Sequence, residues 1–96
     1  MIKLNKLAQQ VCKRFYYSNT FGRNETSVAR LYRIKRNWGR LADATQDKHH
    51  DLSQFTNEEV AAADVIISTM RYLIENGRND VEELLRKRLE TMMGYD

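Results

Sequence analysis

The chain of 96 residues contains no proline, and this absence constrains its fold more than any other feature of the sequence. Proline lacks a backbone donor and clashes inside a helix, so a chain without it favours long uninterrupted helices. Four segments carry apolar residues at helical spacing and predict helices at about 3–17, 26–46, 57–76 and 80–93. The length allows a single domain, residues 1–96. We therefore expect an all-α fold, a four-helix bundle with short loops.

Local signals predict where the third and fourth helices begin and end. Thr56 followed by Glu59 is a capping box, and Asn79 followed by Glu82 repeats the same pattern. These pairs are expected to open the third and the fourth helix. Gly77 is suited to end the third helix, because glycine adopts left-handed backbone angles at low cost.

The net charge of +3 hides a strong asymmetry between the two halves of the chain. Residues 1–48 carry eleven basic and three acidic residues, a balance of +8, whereas residues 49–96 carry five basic and ten acidic residues, a balance of −5. Such a split indicates head-to-tail complementarity in an assembly, or an anionic partner for the basic half. Self-association would also compensate for the small core of so short a chain.

Cysteine usage and hydropathy bear on the compartment. Cys12 is the only cysteine and has no partner for an internal disulfide, which indicates a reducing environment. The sequence has no apolar run long enough for a signal peptide or a membrane span. A cytoplasmic protein that does not associate with membranes is therefore expected.

Three stretches resemble the MazG-like all-α nucleotide pyrophosphohydrolases. IKRNWGRLADA (34–44) resembles the family's second helix, EEVAAADVIISTMRYLI (58–74) its third, and ENGRNDVEELLRKRLE (75–90) its turn and closing helix. The resemblance implies a MazG-like bundle that assembles as a homodimer or higher oligomer. In active members, carboxylates bind Mg²⁺, which prefers oxygen ligands. The metal clamps a nucleoside triphosphate and helps a water to attack between the α and β phosphorus atoms.

Carried over to this chain, the resemblance leaves one of five expected carboxylates. Arg36, Asn37 and Arg40 occupy the acid positions of the second helix, Ala61 occupies the glutamate position of the third, and Asp64 alone remains acidic. One carboxylate beside two cations is a poor Mg²⁺ site, so no cofactor is expected, and Mg²⁺ only if the chain is active. An alternative alignment recruits a glutamate from the start of the third helix, but its spacing of five or six residues to Asp64 does not match one helix face.

The candidate ligand-binding or anion-binding site is therefore formed by Arg33, Arg36, Asn37, Arg40 and Asp64. The arginines recur every three or four residues and lie on one broad face of the second helix. Three interpretations stay open. The guanidinium groups hold phosphates by forked hydrogen bonds, they form a solvated surface, or one of them pairs with Asp64.

The leading functional hypothesis is a non-catalytic MazG-like binding or regulatory module that engages a nucleotide, another anion or a protein partner. Such a small accessory chain would fit a phage gene. One alternative is a divergent Mg²⁺-dependent nucleoside triphosphate pyrophosphohydrolase. Another is a nucleic-acid-binding protein that uses the basic first half. Its first helix carries Lys3, Lys6, Lys13 and Arg14, and bases could stack on the adjacent rings of Tyr16 and Tyr17.

Two further features have simpler interpretations. Trp38 lies within the apolar stripe of the second helix and is expected to anchor the core or an interface. His49 and His50 are adjacent on a polar connector, and no Cys/His spacing supports a zinc site. The sequence therefore predicts no metal site.

Overall fold

A computed structural model describes residues 3–18 and 27–94, and for residues 12, 14–18 and 27 it describes the backbone only. The described residues form four helices, α1 (Leu4–Ser18), α2 (Ser27–Asp43), α3 (Asn57–Glu75) and α4 (Val81–Met92). Within them there is no strand beyond one isolated bridge. The predicted all-α class is therefore confirmed. Residue 26, the predicted start of the second helix, lies outside the described residues.

The helix α2 ends three residues before its predicted end, because the chain turns there to close a hydrogen-bonded loop. The backbone N–H of Asn57 donates to the carbonyl of Asp47 at 2.8 Å, and that of Glu58 donates to the carbonyl of Thr45 at 3.0 Å. The first N–H groups of a helix have no partner within the helix. The loop therefore caps α3 and fixes the return of the chain from α2.

Both predicted end signals of α3 are confirmed. Thr56 Oγ1 accepts from the backbone N–H of Glu59 at 3.1 Å, and Glu59 Oε1 accepts from the backbone N–H of Thr56 at 3.0 Å. At the other end Gly77 has a φ of 99°, in the left-handed region. The backbone N–H of Arg78 then donates to the carbonyl of Leu73 at 2.9 Å, as in a Schellman cap.

The predicted cap of α4 at Asn79 is wrong by one residue. Asp80 is the N-cap, and its carboxylate accepts from the backbone N–H of Glu83 at 3.0 Å. The physical reason is a contact with α1. Asn5 donates to Asp80 Oδ1 at 2.8 Å, and its own amide oxygen accepts from the backbone N–H of Glu82 at 2.8 Å. A residue 75 positions away therefore sets the helix start.

The helix α3 is central to the arrangement. Both α1 and α2 pack along it, and α4 contacts α1 and α3. In the described part of the chain α2 contacts neither α1 nor α4. The hydrophobic core forms where α1, α3 and the start of α4 meet, around Ala8, Met70 and Val81. The bundle is therefore open on the sides that α2 and α4 leave uncovered.

The described part of the chain has a small core. Among the described residues six are buried, and two of these, Ser68 and Arg71, are polar or charged. Large apolar side chains on all four helices are exposed instead. None of the described helices has both the length and the apolar character that a membrane span requires.

The Asn5–Asp80 contact leads to a prediction about acid stability. The side-chain hydrogen bond from Asn5, followed by the backbone N–H of Glu83, holds the pKa of Asp80 below its ordinary value of 3.8. A carboxyl with a lowered folded-state pKa stabilises the fold above the unfolded pKa, and this contribution is lost as the pH falls through the folded pKa. Between neutral pH and about pH 3, wild type should lose more unfolding free energy than Asp80→Asn. Urea unfolding followed by circular dichroism measures this, and parallel pH profiles would contradict it.

Candidate functional site

The two helices that carry the candidate site are joined by polar contacts at one end. Because α2 and α3 run antiparallel, the start of α2 lies beside the end of α3. Arg30 Nη1 donates to Asn76 Oδ1 at 2.8 Å. One helical turn further along α2, Arg33 Nη1 lies 3.5 Å from Glu75 Oε1. The first of the five predicted site residues therefore faces α3.

The same carboxylate oxygen of Glu75 also accepts a hydrogen bond from Arg71 Nε at 3.0 Å. Arg71 is almost fully buried, and the side chains of Arg33 and Glu75 are largely shielded from solvent. We refer to Arg33, Arg71 and Glu75 as the Glu75 cluster. Charged groups at such depth require partners, because burial without them is costly. Arg33 therefore stabilises the α2–α3 pair and offers less of its guanidinium to a ligand than the sequence predicted.

The sequence predictions missed Arg71 and Glu75. Their i,i+4 spacing is a detectable signal for a pair within one helix. The contact of Arg33 with Glu75 could not be predicted from that spacing, because this contact depends on how α2 packs against α3.

The remaining basic residues of the predicted site have no described contact with this cluster. Arg36 and Arg40 are exposed, whereas Asn37 between them is half-buried. The two arginines are four residues apart and therefore occupy one side of α2, separated by about one helical turn. Within the described part of the chain neither forms an ion pair. They present two adjacent guanidinium groups to solvent.

Asp64 is also exposed, but its environment is apolar. It lies at a surface groove of about 540 Å³ on the first half of α3 and the preceding loop, and Glu59 is the second acid of this groove. The rest of the lining consists of Leu52, Phe55, Val60, Ala62, Ala63, Ile66 and Ile67. We refer to this surface as the α3 groove. Among the described residues, no ion pair joins Asp64 to Arg36 or Arg40.

Trp38 is not part of the core, because 63% of its surface is exposed. Val28, Leu31 and Tyr32 share the outer side of α2 with it and are exposed too. The half-buried apolar residue Leu41 instead faces inward with Arg33 and Asn37. The expectation that Trp38 anchors the core is therefore wrong, and its role as an interface residue stays a prediction.

His49, His50 and Asp51 form a group whose possible ligand atoms lie within 4.8 Å of one another. His49 Nδ1 accepts from the backbone N–H groups of Asp51 and Leu52 at 3.2 and 3.1 Å. His50 Nε2 lies 3.1 Å from Asp51 Oδ2, and the two imidazole rings stack at 4.6 Å. These hydrogen bonds stabilise the loop. They also use the lone pair of His49 Nδ1 with which this nitrogen would bind a metal.

Comparisons of the chain with protein-family models, with curated proteins and with solved structures found no match. The resemblance to the MazG-like family therefore stays a prediction. Of the residues on which the nucleic-acid alternative rests, Lys3, Lys6 and Lys13 are exposed. The side chains of Arg14, Tyr16 and Tyr17 lie outside the described residues, so this alternative stays a prediction.

The Glu75 cluster gives a prediction about stability. Glu75→Gln leaves the buried guanidinium of Arg71 and the shielded one of Arg33 opposite a neutral amide. Loss of one partner from a buried ion pair costs about 3–5 kcal/mol, and the partial exposure of Glu75 reduces the expected loss to about 2 kcal/mol. Urea unfolding measures the change.

Glu90→Gln is the matched control for this substitution, because Glu90 is exposed on α4. Its effect should stay within about 0.5 kcal/mol. Equal stabilities of the two variants would show that the Glu75 cluster does not hold α2 against α3.

Proposed function

We propose that this protein is a non-catalytic, MazG-like binding module that engages a nucleotide or another phosphate-bearing anion through Arg36 and Arg40. One observation carries the proposal. These arginines lie one turn apart on the exposed side of α2, and neither is neutralised by an ion pair in the described part of the chain. Because α2 carries five basic residues and one acidic residue, the local field attracts anions.

The chemistry of the two side chains suits phosphate. A guanidinium group is planar and always charged, and it donates paired hydrogen bonds that match phosphate oxygens. Two such groups on residues about 6 Å apart along one helix can each bind a phosphate of a nucleoside di- or triphosphate. Asn37 lies between them and offers an amide on the α3 side. Arg33 contributes positive charge from the Glu75 cluster.

The proposed absence of catalysis rests on the missing metal-binding carboxylates. Mg²⁺ requires several oxygen ligands in octahedral arrangement, and the positions that the resemblance assigns to them hold Arg36, Asn37, Arg40 and Ala61. Glu59 lies at the same groove as Asp64, but one of its carboxylate oxygens accepts the backbone N–H of Thr56. These substitutions support a binding function without hydrolysis.

We also propose that the protein self-associates. Among the described residues only four apolar side chains are buried, while the outer side of α2, the α3 groove and most of α4 leave large apolar side chains exposed. Exposed apolar surface on several elements of one small chain is typical of protein–protein interfaces. Assembly would bury these surfaces and add to the stability that the core provides.

Charge reversal at the arginine pair tests anion binding. We expect the double variant Arg36→Glu/Arg40→Glu to bind ATP and inorganic pyrophosphate about tenfold or more weakly than wild type. Both ligands lose the charge-assisted hydrogen bonds that the two guanidinium groups donate to their phosphates. Isothermal titration calorimetry without added metal measures the dissociation constants.

The matched control is Lys6→Glu/Lys13→Glu, which makes the same change in net charge at exposed positions of α1. Its affinity should remain within about twofold of wild type. Equal losses in both variants would mean that net charge, rather than the arginine pair, governs binding. Tight binding of single-stranded RNA or DNA with a steep salt dependence would favour the nucleic-acid alternative instead.

A direct assay tests the absence of catalysis. With Mg²⁺ and a panel of nucleoside triphosphates, the wild-type protein should release no pyrophosphate above the background rate, because a single candidate carboxylate does not hold the metal. Release that disappears in Asp64→Asn would overturn this part of the proposal and favour a pyrophosphohydrolase.

A further inference from the structure

The helix α4 begins in the core and then leaves it. Its first residue, Val81, is 1% exposed and packs near Ala8 and Met70. From Glu83 to Gly94 every described residue is exposed. The exposure of its apolar side chains rises along the helix, from 38% at Leu84 to 67% at Met92. The body of the described structure therefore holds α4 at one end only.

The exposed part of α4 is amphipathic. Leu85, Leu89 and Met92 are spaced by four and three residues and so lie on one side of the helix. Arg88 lies within this side, whereas Lys87 points to the opposite side. A helix of 12 residues is only marginally stable in water without tertiary packing. The apolar side of α4 therefore requires a partner surface.

The α3 groove has the complementary character. Phe55 and Ile66 are exposed in its apolar lining, and Asp64 supplies a negative charge that forms no ion pair among the described residues. The exposed side of α4 has apolar residues around one positive charge, Arg88, which likewise has no carboxylate partner there. The α4 helix is about 18 Å long. Its start packs in the core cluster that contains Met70, and this cluster includes none of the residues that line the groove.

We infer that α4 of one copy docks into the α3 groove of a second copy, with Arg88 facing Asp64. The contact rests on the self-association proposed above and specifies which surfaces form it. Two grooves packed against each other are disfavoured, since Asp64 and Glu59 of both copies would meet. Exchange of α4 between two copies makes the same contact twice, which closes a dimer.

Sedimentation velocity over a range of concentrations, with the full chain, tests the contact. Wild type should sediment as a dimer. Asp64→Lys and Arg88→Glu should each weaken self-association about tenfold or more, because each places like charges together at a desolvated interface. An equimolar mixture of the two variants should associate about tenfold or more tightly than either variant alone. In the mixed dimer one contact pairs the two substituted charges, which attract each other, and the second contact keeps the original Asp64 and Arg88.

Two control variants carry the same changes in charge outside the contact. Lys87→Glu changes the opposite side of α4, and Asp43→Lys changes an exposed acid at the end of α2. Both should sediment as wild type does. Circular dichroism of each variant should give wild-type helix content, since all four positions are exposed in the described structure.

The possible failures are distinguishable. A wild-type monomer at every concentration would overturn both the contact and the proposed self-association. A dimer that survives Asp64→Lys and Arg88→Glu but dissociates on Trp38→Glu would overturn the contact alone, and would assign the interface to the outer side of α2. Equal weakening by Arg88→Glu and Lys87→Glu would likewise exclude the α3 groove as the docking surface.

Discussion

The Glu75 carboxylate holds together the two helices on which the rest of the structure depends. One of its oxygens accepts from the buried guanidinium of Arg71 on its own helix and lies 3.5 Å from Arg33 on α2. At the other end of the pair, the loop after α2 caps the first turn of α3. With both ends fixed, α3 provides the surface against which α1 and then α4 pack. The orientation of every arginine on α2 follows from the same arrangement.

This use of charge has a consequence for the apolar residues of α2. Because Arg30 and Arg33 turn toward the end of α3, the opposite side of the helix faces away from the body. That side carries Leu31 and Trp38, which are exposed. A helix that directs arginines inward and apolar residues outward differs from the usual amphipathic arrangement. It is the arrangement expected where further apolar burial takes place between chains.

The two candidate surfaces are physically distinct. Arg36 and Arg40 form a charged surface suited to phosphate. The α3 groove is apolar with two acids, Glu59 and Asp64, and the exposed side of α4 is apolar around Arg88. Asp64 lines the α3 groove, and no described contact joins it to Arg36 or Arg40. The proposed anion binding and the proposed assembly therefore use different residues and can be tested separately.

Much of the fold could be predicted from the sequence, because its signals are local. The absence of proline, the helical spacing of apolar residues, the capping box at Thr56 and the left-handed cap at Gly77 each depend on neighbours within a few positions. The tertiary structure decided what depends on distant partners. The contact of Asn5 with Asp80 places the N-cap of α4 at Asp80 rather than at Asn79. The packing of α2 against α3 separated the largely shielded Arg33 from the exposed Arg36 and Arg40. Periodicity shows which residues share a helix face but not which face another helix covers.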